Sequence, residues 1–197
     1  MASPRTKPVR RRRSSSDARA EALAAARKLL IEKGPSGVTL MAVAAEVGVT
    51  HANLLHHFGS AAGLQGALMT KMAGDLAEAL SEAVSPMRQN ESSMEELVGM
   101  AFRAFDEGGA GRLAAWMALN DETGKLAPVE PVVRDLAEAM RRPDQADKIE
   151  RSILFVTLAA FANALIGPAL SEMLGEPKEG FEQLTVRLAK AMMHGDA

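Results

Sequence analysis

The sequence has no cysteine and no tyrosine, a single tryptophan, and only 4% aromatic residues among its 197. Without cysteine there can be no disulfide frame, no thiol nucleophile and no thiolate-held zinc or iron–sulfur centre. The same absence agrees with a reducing, cytoplasmic setting. No segment alternates polar and apolar residues with a period of two, and threonine is scarce, so almost no sheet is expected. No segment repeats at a fixed period. A glycine-rich phosphate loop, a nucleophile elbow and a helical His–carboxylate pair are also missing. Acidic pairs such as Glu95-Glu96 and Asp121-Glu122 read as solvated faces. No catalytic residue and no cofactor is therefore assigned, and an enzyme is not expected. The first 16 residues hold no apolar core, so no secretory signal is expected either.

What is present is ordinary for a folded chain: 47% hydrophobic and 24% charged residues. The net charge of −2 conceals a split, with residues 1–70 carrying +6 and residues 71–197 carrying −8. A basic first third on an acidic remainder suggests that one end meets a polyanion. Residues 1–16 hold Arg5, Lys7 and the run Arg10, Arg11, Arg12, Arg13 without any acid. Like-charge repulsion and the lack of apolar groups predict a disordered basic arm, either idle in solvent or a tail that neutralises phosphates or enters a minor groove.

Beyond the arm, apolar residues recur at three- and four-residue spacing and the expected fold is all-α. Asp17 is a plausible cap for a helix that ends at Gly34-Pro35, where proline removes a donor. Short helices are expected over about 40–47 and 51–58, with Thr39 and Thr50 as their caps. A longer one over about 61–84 follows Ser60 and stops before Pro86. Further helices are expected near 93–107, 110–122, 129–142, 145–174 and 179–193, separated by Gly108-Gly109, Gly124, Pro128, Pro143 and Gly175 to Pro177.

Residues 39–58 read TLMAVAAEVGVTHANLLHHF. Two short helices around a glycine-containing turn form a helix-turn-helix. Val43, Ala44, Val47, Val49, Leu54 and Phe58 can turn inward, leaving His51, Ala52, Asn53, Leu55 and His56 outside. A slim helix with small and polar side chains suits the major groove, where Asn pairs with adenine and His bonds guanine N7 or phosphate. Thr39 and Thr50 sit at helix starts, where amides and hydroxyls meet phosphate oxygens. His56 and His57 follow His51 by five and six residues, which puts His51 off their face, and no acid or cysteine nearby completes a metal site. His57 is expected to be partly buried and bonded to phosphate or backbone, and His194 to be solvated.

These residues resemble the DNA-binding domain of the tetracycline-repressor (TetR) family of bacterial regulators. The resemblance rests on Thr39, Val43-Ala44, Val47-Gly48-Val49, Thr50, Leu54, His57-Phe58 and Gly63-Leu64, and covers about residues 18–66. After the arm at 1–16, it implies a helix-turn-helix domain at 17–64 and a helical ligand-binding and dimerisation domain at 65–197. It also implies a homodimer on a palindromic double-stranded operator, released by a small-molecule effector, and a dimer interface built from 145–174 and 179–193. Two positions depart from the family's habit: Leu55 where a tyrosine usually touches phosphate, and Ala61 where a lysine is favoured.

The uncharged run 152–171 is long enough to span a bilayer, but Thr157, Asn163 and Gly167-Pro168 interrupt it and no Trp or Tyr belt flanks it. A fully buried helix gives the same pattern and is the reading favoured here, with no membrane as partner. Its Ala159, Ala160, Ala162 and Ala164 would admit a second helix closely. For an effector, Phe102, Phe105, Trp116, Met117 and Phe155 offer bulky lining, with Asn120 and Asn163 as polar points; Met100, Met140, Phe161 and Thr157 are further candidates. Met and Phe at helical spacing describe an ordinary core equally well.

The expected activity is thus a ligand-responsive transcriptional repressor. Two alternatives stand beside it: a DNA-associating protein without sequence preference, held mainly by its arm, and a small-molecule binder whose helix-turn-helix no longer reads DNA. If the arm makes up for the phosphate anchoring absent at Leu55 and Ala61, a protein beginning at Ser14 will show a flatter dependence of log affinity on log salt. The slope should fall by about 0.9 for each phosphate that the arm neutralises; titrations of both proteins on one duplex measure it, and superimposable slopes would refute compensation.

Overall fold

The structure, a computed structural model, describes residues 15–87, 93–141 and 146–194. The arginine run of the arm and the side chain of His194 lie outside the described residues. Among the described residues there is no strand. The helices are α1 (Ser15–Lys33), α2 (Leu40–Val47), α3 (His51–Phe58), α4 (Ala61–Met87), α5 (Ser93–Phe105), α6 (Ala110–Leu119), α7 (Val129–Met140), α8 (Ala146–Leu174) and α9 (Gly180–His194), with 3-10 turns at Pro35–Gly37 and Thr123–Leu126.

Several ends differ from the sequence expectation for local reasons. α1 starts at Ser15, so Ser15 and Ser16 are helical rather than part of an arm, and Asp17 lies within the first turn. There its charge still favours the positive helix end. α4 continues through Pro86 to Met87, and Pro168 likewise sits inside α8. One missing amide bond does not end a helix held along its length by its neighbours. α6 stops at Leu119 because Asp121 adopts φ 57° and the chain turns into the 3-10 segment.

The amino-terminal core is built by Ala22, Ala26, Leu29 and Leu30 of α1, Val43 and Ala44 of α2, and Leu54 and Phe58 of α3. The same cluster continues without a break into Leu64, Leu68, Met69 and Met72 of α4 and Ala110, Leu113 and Met117 of α6. A second cluster joins Val98, Ala101 and Phe102 of α5 to Ala159 and Ala160 of α8 and Val186 of α9, and Phe105 packs against both clusters. The small residues of α8 do admit close neighbours: a Cβ on Gly111 of α6 would stand 2.8 Å from the Ala164 methyl.

The reading of 152–171 as a fully buried helix is corrected. Only 11% of the most apolar window of α8 is buried. Leu154, Leu158, Leu165, Ile166, Leu170, Met173 and Leu174 are exposed on α8, as are Phe181, Leu184 and Leu188 on α9. A long apolar helix in a thin helical layer packs one side only, and an absence of charge does not reveal how many sides are covered.

α4 leaves the head through a tight junction. Ser60 Oγ accepts from the Gly63 amide at 2.9 Å, and a Cβ on Gly63 would fall 2.0 Å from the Phe58 carbonyl oxygen. Backbone cannot yield to that overlap. Gly63→Ala should therefore destabilise the protein by about 2 kcal/mol or more. Gly74→Ala, with open space around the added methyl, should be neutral or gain up to about 1 kcal/mol; thermal unfolding of the two variants compares them directly.

Candidate nucleic-acid interface

The two short helices are fixed at their starts by threonine caps. Thr39 Oγ1 accepts from the Ala42 amide at 3.1 Å, and Thr50 Oγ1 accepts from the Asn53 amide at 3.3 Å. Between them Gly48 takes φ 70°, a left-handed conformation costly for a residue with a Cβ. That turn lets the Val49 amide donate to the Ala44 carbonyl at 3.0 Å. Leu54 and Phe58 enter the core, so the opposite side of α3 faces outward. His51, Ala52, Asn53, Leu55 and His56 are all exposed, while His57 is half-buried. Thr39 and Thr50 are exposed at the two helix starts, where free amides favour an anion.

The carboxyl end of α3 is held by a residue that sequence reasoning passed over. Arg19 of α1 donates to the His57 carbonyl at 2.9 Å, and its guanidinium lies 4.5 Å from the centre of the Phe58 ring. One cation thus meets the negative end of the helix and the face of its last aromatic residue. The signal was the placement of Arg19 two turns ahead of the buried Ala26, but an arginine on a polar helix face gives no sign of its distant partner. Gln65 was also missed. Its amide, buried in α4, donates to the Val38 carbonyl at 3.2 Å and the Pro35 carbonyl at 3.4 Å, tying α4 to the segment between α1 and α2. Lys28 of α1 meets Glu46 of α2 at 2.6 Å. The pair raises the Lys28 ammonium and lowers the Glu46 carboxyl relative to their ordinary values, chiefly through their shared hydrogen bond.

A family model described as bacterial regulatory proteins, tetR family, matches residues 22–68, the segment that forms these helices and their junction. That match is confined to the amino-terminal segment, which is similar to the DNA-binding part of tetR-family bacterial regulators. The segment has the helix-turn-helix form of a DNA-binding domain. The fold of the whole chain is TetR-like. A TetR-family transcriptional regulator from Pectobacterium atrosepticum superposes with a TM-score of 0.60 at 19% identity, covering 93% of this chain and 97% of the other. A protein of unknown function from Rhodococcus sp. RHA1 gives 0.64 at 22% identity, covering 94% and 97%. A TetR-like transcriptional regulator from the same organism gives 0.56 at 18% identity, covering 93% and 100%. No curated protein matches the sequence.

The effector-contact candidates sit in different surroundings within this fold. Phe102 is buried in the second cluster and Met117 in the first. Phe105 stands between the clusters, edge-on to Phe161 with ring centres 6.5 Å apart. Trp116, Phe155 and Asn163 are half-buried. Asn120 and Thr157 are exposed, and the Asn120 amide donates to the Trp116 carbonyl at 2.7 Å, closing the end of its own helix. Among the described residues no cluster of His, Asp and Glu could hold a metal ion.

Replacing Arg19 with alanine should cost about 1 kcal/mol of stability and loosen α3 more than the rest of the head. Hydrogen exchange at the amides of α3, compared with those of α9, reads the difference. Arg19→Lys, which keeps the charge without the planar fork, should fall between the two proteins.

Proposed function

We propose that this chain is a TetR-family transcriptional regulator, a homodimeric repressor that binds a palindromic operator through α3 and is released by a small-molecule effector. The observation that carries the reading is the outward face of α3: five exposed side chains on a helix whose other side is anchored in the core. Asn53 and His56 supply hydrogen bonds to base edges, while Thr39, Thr50 and His57 meet phosphates beside them. Arg10 to Arg13 add backbone neutralisation.

The exposed apolar residues of α8 and α9 support dimerisation, since such a surface on one chain calls for a covering partner. Two copies joined there would set their α3 helices about one duplex turn apart, roughly 34–36 Å. For the effector, the region around Phe105 is favoured, between Phe102 on one side and Met117 on the other. Because Met117 belongs to the same apolar cluster as Leu54 and Phe58, an effector that repacks it favours one placement of the heads over another, which is what release requires.

Genomic fragments retained by the full chain, challenged with excess random DNA, test the reading. Retained fragments should hold inverted repeats and carry two chains per duplex. Asn53→Ala or His56→Ala should lower the preference for these fragments over random duplex by about 1–3 kcal/mol. An equal loss on both kinds of DNA would remove these residues from base reading.

A further inference from the structure

One side chain on the outward face of α3 is ill-suited to the polar contacts assigned to its neighbours. Leu55 is 45% exposed and stands outside the apolar cluster that takes Leu54 and Phe58. It has no donor or acceptor, so it cannot bond a phosphate or a base edge. Ala52, also exposed, lies three residues earlier, about 60° away around the helix. The two form an apolar strip along one side of the outward face, with Asn53 and His56 on the other side.

Among the base edges of the major groove, the distinctive apolar group is the C5-methyl of thymine. We propose that Leu55, with Ala52 beside it, is a specificity-determining contact to thymine methyl groups, so that the half-site carries A·T pairs beneath α3. The inference rests on α3 reading DNA as described above. Asn53 agrees with it: an adenine paired with its amide brings a thymine on the opposite strand, placing a methyl in the same pair.

The test uses duplexes recovered by the full chain from a random pool, resynthesised with deoxyuridine in place of thymidine. That exchange deletes the methyl groups and keeps every hydrogen-bonding edge. The parent protein should bind the uracil duplex about fourfold more weakly for each methyl that Leu55 or Ala52 touches. Leu55→Ala should bind the thymine duplex more weakly than the parent does and show a smaller uracil penalty, keeping only the part due to Ala52, and Leu55→Met should restore the discrimination. An unchanged affinity of the parent for uracil DNA overturns the proposal. So does an equal uracil penalty in parent and Leu55→Ala, which would reflect duplex shape instead. A parent protein that recovers no duplex at all overturns the reading of α3 as a DNA-contacting helix, and this proposal with it.

Discussion

What α3 can do depends on how firmly its two ends are held. An eight-residue helix is too short to persist in water by itself, so its order comes from outside it. Thr50 fixes the start, Leu54 and Phe58 bury one side, and Arg19 takes the last turn through the His57 carbonyl and the Phe58 ring. Each of these restraints acts on the inward side or at an end. The opposite side is thereby left rigid and unoccupied, the condition for meeting a second rigid surface without a large ordering cost.

The head is not a separate body. Its core runs through α4 into α6, so the residues beneath α3 and the residues facing the rest of the molecule share one apolar cluster. Gln65 adds a polar tie from α4 to the carbonyls of Pro35 and Val38. Close-packed clusters of this kind do not deform smoothly; they shift between arrangements. A change in the position of α6 therefore bears on the seating of α3 through direct contact, with Gly63 and Ser60 holding the junction tight.

The far end of the molecule carries the opposite kind of surface. α8 and α9 pack on each other and on α5, yet a row of leucines, with Ile166, Met173 and Phe181, remains exposed. Polar fastenings described there include an exposed pair, Lys190 with Glu95 between α9 and α5 at 2.7 Å, and a part-buried bond from the Lys148 ammonium to the Met193 carbonyl at 3.3 Å. Exposed ion pairs contribute little, so apolar contact is the main means by which this surface can be stabilised.

The sequence by itself determined the helical class, the helix-turn-helix and its outward residues. These follow from local spacing: threonine caps, Gly48 where φ is positive, and apolar residues one turn apart. It also pointed to the family through the same short stretch. Only the tertiary structure decided that Arg19 reaches across 38 positions to α3, that Gln65 is buried, that the head's core extends to Met117, and that α8 is mostly uncovered. Periodicity reports which side of a helix is apolar. It carries no information about which distant element lies against that side, because that choice is made by the packing of the whole chain.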